Sequence, residues 1–86
     1  MTDSEWDTET VATVRKYAMQ NAVEYNGAGQ AGSVLGRLLG ERADLRPRAR
    51  DLKSLVEAEV NAANEMASTN GVEAVKEALA ATNPEA

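Results

Sequence analysis

The chain has 86 residues and a net charge of −5, from 14 acidic and 9 basic side chains. That length allows one small domain or a piece of a larger protein. With neither Cys nor His in the sequence, disulfides, thiolate metal sites, a cysteine nucleophile and the commonest general base are all excluded.

Residues 1–10 are acidic and lack the basic and apolar regions of a signal peptide, so a cytoplasmic location is expected. Ser4, Asp7 and Thr8 suit a helix N-cap, with Glu9 in the first turn. Val11, Val14, Ala18, Ala22 and Tyr25 then recur at helical spacing and predict a buried stripe on a helix over about 8–25. Asn26 and Gly27 tolerate a left-handed turn and end it. "GAGQAG" follows as a connector of glycine and small residues.

"GSVLGRLLG" places glycines at 32, 36 and 40 among helix-favouring leucines. Ser33 as a cap, and Gly32 and Gly40 as punctuation, predict a short helix over about 33–39 with Val34, Leu35, Leu38 and Leu39 as its apolar face. Gly36 is then interior, where glycine costs about 1 kcal/mol against alanine. Close packing of a neighbouring helix is the expected reason, and direct backbone contact with a ligand is the other. A membrane glycine zipper is excluded by the short run and Arg37. A phosphate-binding loop is excluded by the missing Gly-Lys-Ser/Thr ending.

The longest predicted helix covers about 46–66, with Pro47 in its first turn and Leu45, Ala49, Leu52, Val56, Val60 and Ala63 along one side. Arg46, Arg50 and Lys53 fall at i, i+4 and i+7 and are expected on one exposed stripe. A last helix over about 71–81, capped by Thr69 or Asn70 and stopped by Pro84, turns Val72, Val75 and Leu79 inward. No window alternates as a strand would. The expected fold is all-α, a small orthogonal bundle of about four helices in a single domain over 1–86. The longest apolar run is far short of the ~20 residues needed to span a bilayer, so no membrane partner is expected.

Charge is unevenly distributed. Residues 37–53 carry Arg37, Arg42, Arg46, Arg48, Arg50 and Lys53 against Glu41, Asp44 and Asp51, a net of +3 inside an acidic chain. Such an island is either an anion-binding surface or a solvated face of local ion pairs.

The stretch "KYAMQNAVEYNGAGQAGSVLGRLLGERADLRPRARDLKSLVEAEVN", residues 16–61, resembles the N-terminal appended domain of archaeal-type glutamyl-tRNA synthetases. More distantly, it resembles the matching domain of eukaryotic glutaminyl-tRNA synthetases. The resemblance lies in "QNAV" combined with "GSVLGRLLG" at the family's separation, followed by a basic leucine-arginine segment. It implies a helical, non-catalytic module ahead of a class I catalytic body, adding phosphate-directed affinity for tRNA. The parent enzyme would use ATP and magnesium, and this chain no cofactor or metal of its own. By matching position the RNA-contacting residues are Gln20, Asn21, Arg37, Arg46, Arg48, Arg50 and Lys53, and Arg42 of the cationic island is expected to join them. Partners would be tRNA and the synthetase body, not DNA. The alternative is a protein–protein adaptor docking onto a synthetase or amidotransferase. Glu24 and the lysine-free linker depart from the family's basic pattern, and the last helix matches it poorly. The family's adenylate-binding signature is absent from the chain.

Overall fold

A computed structural model describes residues 6–82 and contains four α-helices: α1 (Thr8–Glu24), α2 (Ala31–Glu41), α3 (Ala49–Asn70) and α4 (Val72–Thr82). A 3-10 segment, Ala43–Arg48, joins α2 to α3. There is no strand among the described residues. The fold is all-α, as the periodicity predicts. Ser4 and Pro84 lie outside the described residues.

Asp7 begins α1 by accepting a hydrogen bond on Oδ1 from the Thr10 N–H at 3.0 Å. Val14, Ala18 and Ala22 form its buried face, joined by Met19. The helix ends at Glu24, so Tyr25 becomes a C-cap residue, 47% exposed rather than on the core stripe. Asn26 (φ 56°) and Gly27 (φ 91°) take the left-handed turn expected of that pair. A side chain at Gly27 would also place its Cβ 3.3 Å from that of Ala67, so glycine answers both a conformational and a spatial demand.

The glycines of α2 behave differently from the expectation. Gly32 and Gly40 lie within the helix, Ser33 is a helical residue, and Gln30 stands at the N-cap without a side-chain cap. All three glycines are exposed, and a Cβ built on any of them meets nothing within 4 Å. Gly36 is therefore not a packing glycine within this chain: α2 buries the opposite side, through Val34 and Leu38, so its bare backbone faces outward.

Pro47 sits in the 3-10 segment rather than in the first turn of α3. Leu52, Leu55, Val56, Val60, Ala63 and Ala67 are the buried side of α3. Thr69 and Asn70 still belong to α3 and do not cap α4; Gly71, at φ 90°, is the single residue between the two helices. Its positive φ lets the chain reverse at once, and Val75 returns fully buried to the core. α1 packs against α3 and α4, and α2 against α3 and α1. Burial of Leu38, Leu52, Val14, Val56 and Val75 stabilises by about 1.5–3 kcal/mol each, and Cα atoms have a radius of gyration of 12.3 Å.

Candidate nucleic-acid interface

Eight polar and cationic side chains were expected to meet RNA, and the fold divides them. Asn21 is buried at 9% exposure. Its Oδ1 accepts from the Gln30 N–H at 2.6 Å. From α3, Asn64 completes the arrangement: its Oδ1 accepts from the Gly29 N–H at 2.8 Å and its Nδ2 donates to the Gly29 carbonyl at 3.1 Å. These two amides supply to the connector the hydrogen bonds that no helix or sheet gives it. Asn21 is thus a structural residue and is withdrawn from the interface.

Gln20 faces α2, where its Oε1 accepts from an Arg37 guanidinium nitrogen at 3.2 Å. The Arg37 Cζ lies 4.1 Å from the centre of the Tyr17 ring, and its Nε donates to Glu41 Oε2 at 3.2 Å. The Tyr17 hydroxyl donates to the other Glu41 oxygen. The Tyr17 hydroxyl, and then Arg37, hold the Glu41 carboxyl below its ordinary range, while the same hydrogen bond to Glu41 raises the Tyr17 phenol. Arg37 is therefore a member of a four-residue cluster bridging α1 and α2.

Arg42 is engaged in the same manner, its Nε and a terminal nitrogen donating to both oxygens of Asp44 at 3.0 Å. The fork-to-carboxylate match raises the guanidinium pKa and lowers that of Asp44. Arg46 donates through Nε to the Leu39 carbonyl at 3.1 Å, one of the free carbonyls at the end of α2. Because Arg46 belongs to the 3-10 segment, the single helical stripe expected for Arg46, Arg50 and Lys53 does not exist. Arg50 and Lys53 share a face of α3, are exposed, and have no side-chain partner among the described residues.

A feature outside the expectation joins the start of the chain to its middle. Trp6, 8% exposed, carries the Arg48 guanidinium on its ring face, Cζ to centroid 3.8 Å. The pair lines a recess of about 370 Å3 between the start of α1 and the 3-10 segment, whose other walls include Asp7, Thr10, Arg42 and Asp44. Trp6 and Arg48 are far apart in sequence and share no periodicity, so no local pattern signals their contact. A smaller cleft of about 130 Å3 lies between α1 and α3, over Met19, Ala63 and Met66, under the Arg15–Glu59 ion pair. No group of three or more potential metal ligands occurs among the described residues, and no helix is long and apolar enough to cross a membrane.

The class these features define is a small helical domain with one cation-rich edge. Its relatives are more particular. The chain is 50% identical over 48 residues to a glutamate–tRNA ligase of Methanothrix thermoacetophila, covering 56% of this chain and 8% of that protein. It is 45% identical over 53 residues to the ligase of Pyrobaculum islandicum, covering 62% of this chain and 9% of the relative. The ligase of Pyrococcus horikoshii matches at 34% over 71 residues, or 83% of this chain and 12% of the relative. No family profile and no solved structure matches. The chain is a helical domain related to archaeal glutamate–tRNA ligases, and the matches span about a tenth of the length of those enzymes, 8–12%.

Proposed function

We propose that this chain is a non-catalytic, tRNA-binding appendage of a glutamate–tRNA ligase, contributing general affinity through backbone phosphates. The observation that carries the reading is the cationic edge formed by the 3-10 segment and the start of α3, where Arg50 and Lys53 stand exposed and Arg46 leaves its terminal nitrogens without a carboxylate partner among the described residues. The ion pairs of Arg37 and Arg42 do not oppose it. Exposed pairs of this kind are weakly held, so a polyanion offering several phosphates can compete for the Arg37 guanidinium, while Arg42 stays paired with both oxygens of Asp44. The adenylate-forming machinery lies outside this chain's motifs, and catalysis belongs to the rest of the parent enzyme.

Titration of the chain with tRNA across a salt series tests the reading. Each phosphate contact contributes a log–log slope of about 0.7–0.9 in magnitude. The double variant Arg50→Glu/Lys53→Glu should bind more weakly and lose about 1.4–1.8 of that slope. Its melting temperature should be unchanged, because neither side chain is packed. Equal, salt-insensitive binding by both proteins overturns the proposal. The Met-lined cleft on the α1–α3 side favours a second reading, an adaptor docking onto a synthetase or amidotransferase, since methionine surfaces adapt to protein partners. That reading predicts unaltered tRNA titrations and loss of synthetase-body binding on Met66→Glu.

A further inference from the structure

The recess beside Trp6 is not accounted for by phosphate binding. A phosphate cradle concentrates N–H donors and positive charge, whereas here two carboxylates, Asp7 and Asp44, share the walls with Arg42 and Arg48. Carboxylates at the rim repel a phosphate. The same walls suit a flat, neutral group with its own hydrogen-bond donors.

The geometry supplies a flat surface for such a group. The Arg48 guanidinium lies over the Trp6 ring, Cζ 3.8 Å from its centroid, and Arg48 also lines the recess, so it is the planar group that a second aromatic layer entering there would meet. Nucleobases stack on guanidinium planes as they do on aromatic rings. The volume of about 370 Å3 lies within the roughly 300–1,000 Å3 of small-molecule pockets. The acceptors are fixed in their charged form. Hydrogen bonds from the Thr10 side chain and backbone hold Asp7 below the ordinary carboxylate range, and Arg42 does so for Asp44. Acceptor-only groups favour a base that presents amino hydrogens over one that presents carbonyls.

We infer that the recess takes the base of one unpaired ribonucleotide, stacked on Arg48 and held at its amino edge by Asp7 and Asp44. Arg50 and Lys53, the next cations along the chain, then meet the flanking phosphates. The inference rests on the tRNA reading above and deepens it, naming a single-stranded element of the RNA as what this edge recognises. Duplex RNA, whose bases are stacked away, would engage only the phosphate contacts.

Trp6 is the only tryptophan, so its emission reports the recess directly. In the whole chain, CMP should change that emission, UMP should do so more weakly, and inorganic phosphate should leave it unaltered. Arg48→Lys keeps the charge and removes the plane. It should weaken binding of a short oligocytidylate about tenfold, the scale of one lost base stack, and leave an RNA duplex with the same number of phosphates within about twofold. Asp7→Asn preserves the helix cap, since both residues cap well, and should narrow the preference for CMP over UMP. Melting curves of both variants confirm the fold. If oligocytidylate and duplex bind alike and Arg48→Lys changes neither, while tRNA still binds in a salt-sensitive way, the base site is overturned and the phosphate reading stands. If no RNA binds at all, both are overturned.

Discussion

Arg37 holds four relations at once: a ring beneath it, a carboxylate on Nε, an amide oxygen on a terminal nitrogen, and solvent over the rest. A guanidinium can do this because its donors lie in one plane while its faces remain available for stacking. Gly36, immediately before it, poses the opposite problem, since nothing in the chain approaches it. Alanine fits the space, and helical backbone suits it better than glycine. Gly36→Ala should therefore raise stability by up to about 1 kcal/mol, measured by urea unfolding. A loss of stability would mean that some contact does require the bare backbone. Nothing within the fold explains why three glycines line this side of α2. The spacing in the sequence shows that the positions are special without showing toward what they face.

At the scale of elements, the connector between α1 and α2 is held by side chains, not by regular structure. Asn21 reaches it from α1 and Asn64 from α3. Packing there is close: a Cβ on Gly29 would lie 3.1 Å from each of the two amide oxygens. Asn64→Ala removes the partners of the Gly29 N–H and carbonyl together. It should cost about 1–3 kcal/mol, seen as a lowered urea midpoint, with hydrogen exchange accelerating first at residues 27–31. In the sequence Asn21 sits in "QNAV" and reads equally as a surface contact, because a helical pattern locates a face without naming what covers it. The 3-10 segment carries a similar lesson. "RADLRPRAR" looks like the first turns of a long helix, yet the chain is in 3-10 form to Arg48. That tighter winding breaks the spacing that would have aligned Arg46 with Arg50 and Lys53.

For the whole molecule, charge is sorted by position. Cations gather over the end of α2, the 3-10 segment and the start of α3, while Glu57, Glu59, Glu65, Glu73 and Glu77 occupy the rest of α3 and α4. That local excess of positive charge is the field the proposed tRNA contact would use. Its pH dependence follows from the shifted groups. Asp7, Glu41 and Asp44 have folded pKa values below their ordinary 3.8, 4.5 and 3.8. Their stabilisation is complete above those ordinary values and is lost as pH falls through the depressed ones. Tyr17 is raised above its ordinary 10.0, so its contribution is present below that value and lost as pH rises through the higher one. Melting temperature should thus be flat from about pH 5 to 9 and fall on both sides. Tyr17→Phe should remove the alkaline fall and shift the acid one upward, because Glu41 loses its first hydrogen bond.

Apolar periodicity by itself determined the helical class, the four segments and most of the buried face, since Val14, Ala18, Leu38, Leu52, Val56, Val60 and Val75 are all interior. The motifs in the middle of the chain pointed to the relatives that the comparisons show. Both signals are local, carried by residues a few positions apart. Tertiary structure decided which cations remain uncommitted, that Asn21 serves the fold, that Gly36 faces outward, and that Trp6 and Arg48 build a recess together. Each of these depends on which helix faces which across the core, and pairing of that kind leaves no periodic trace in either partner.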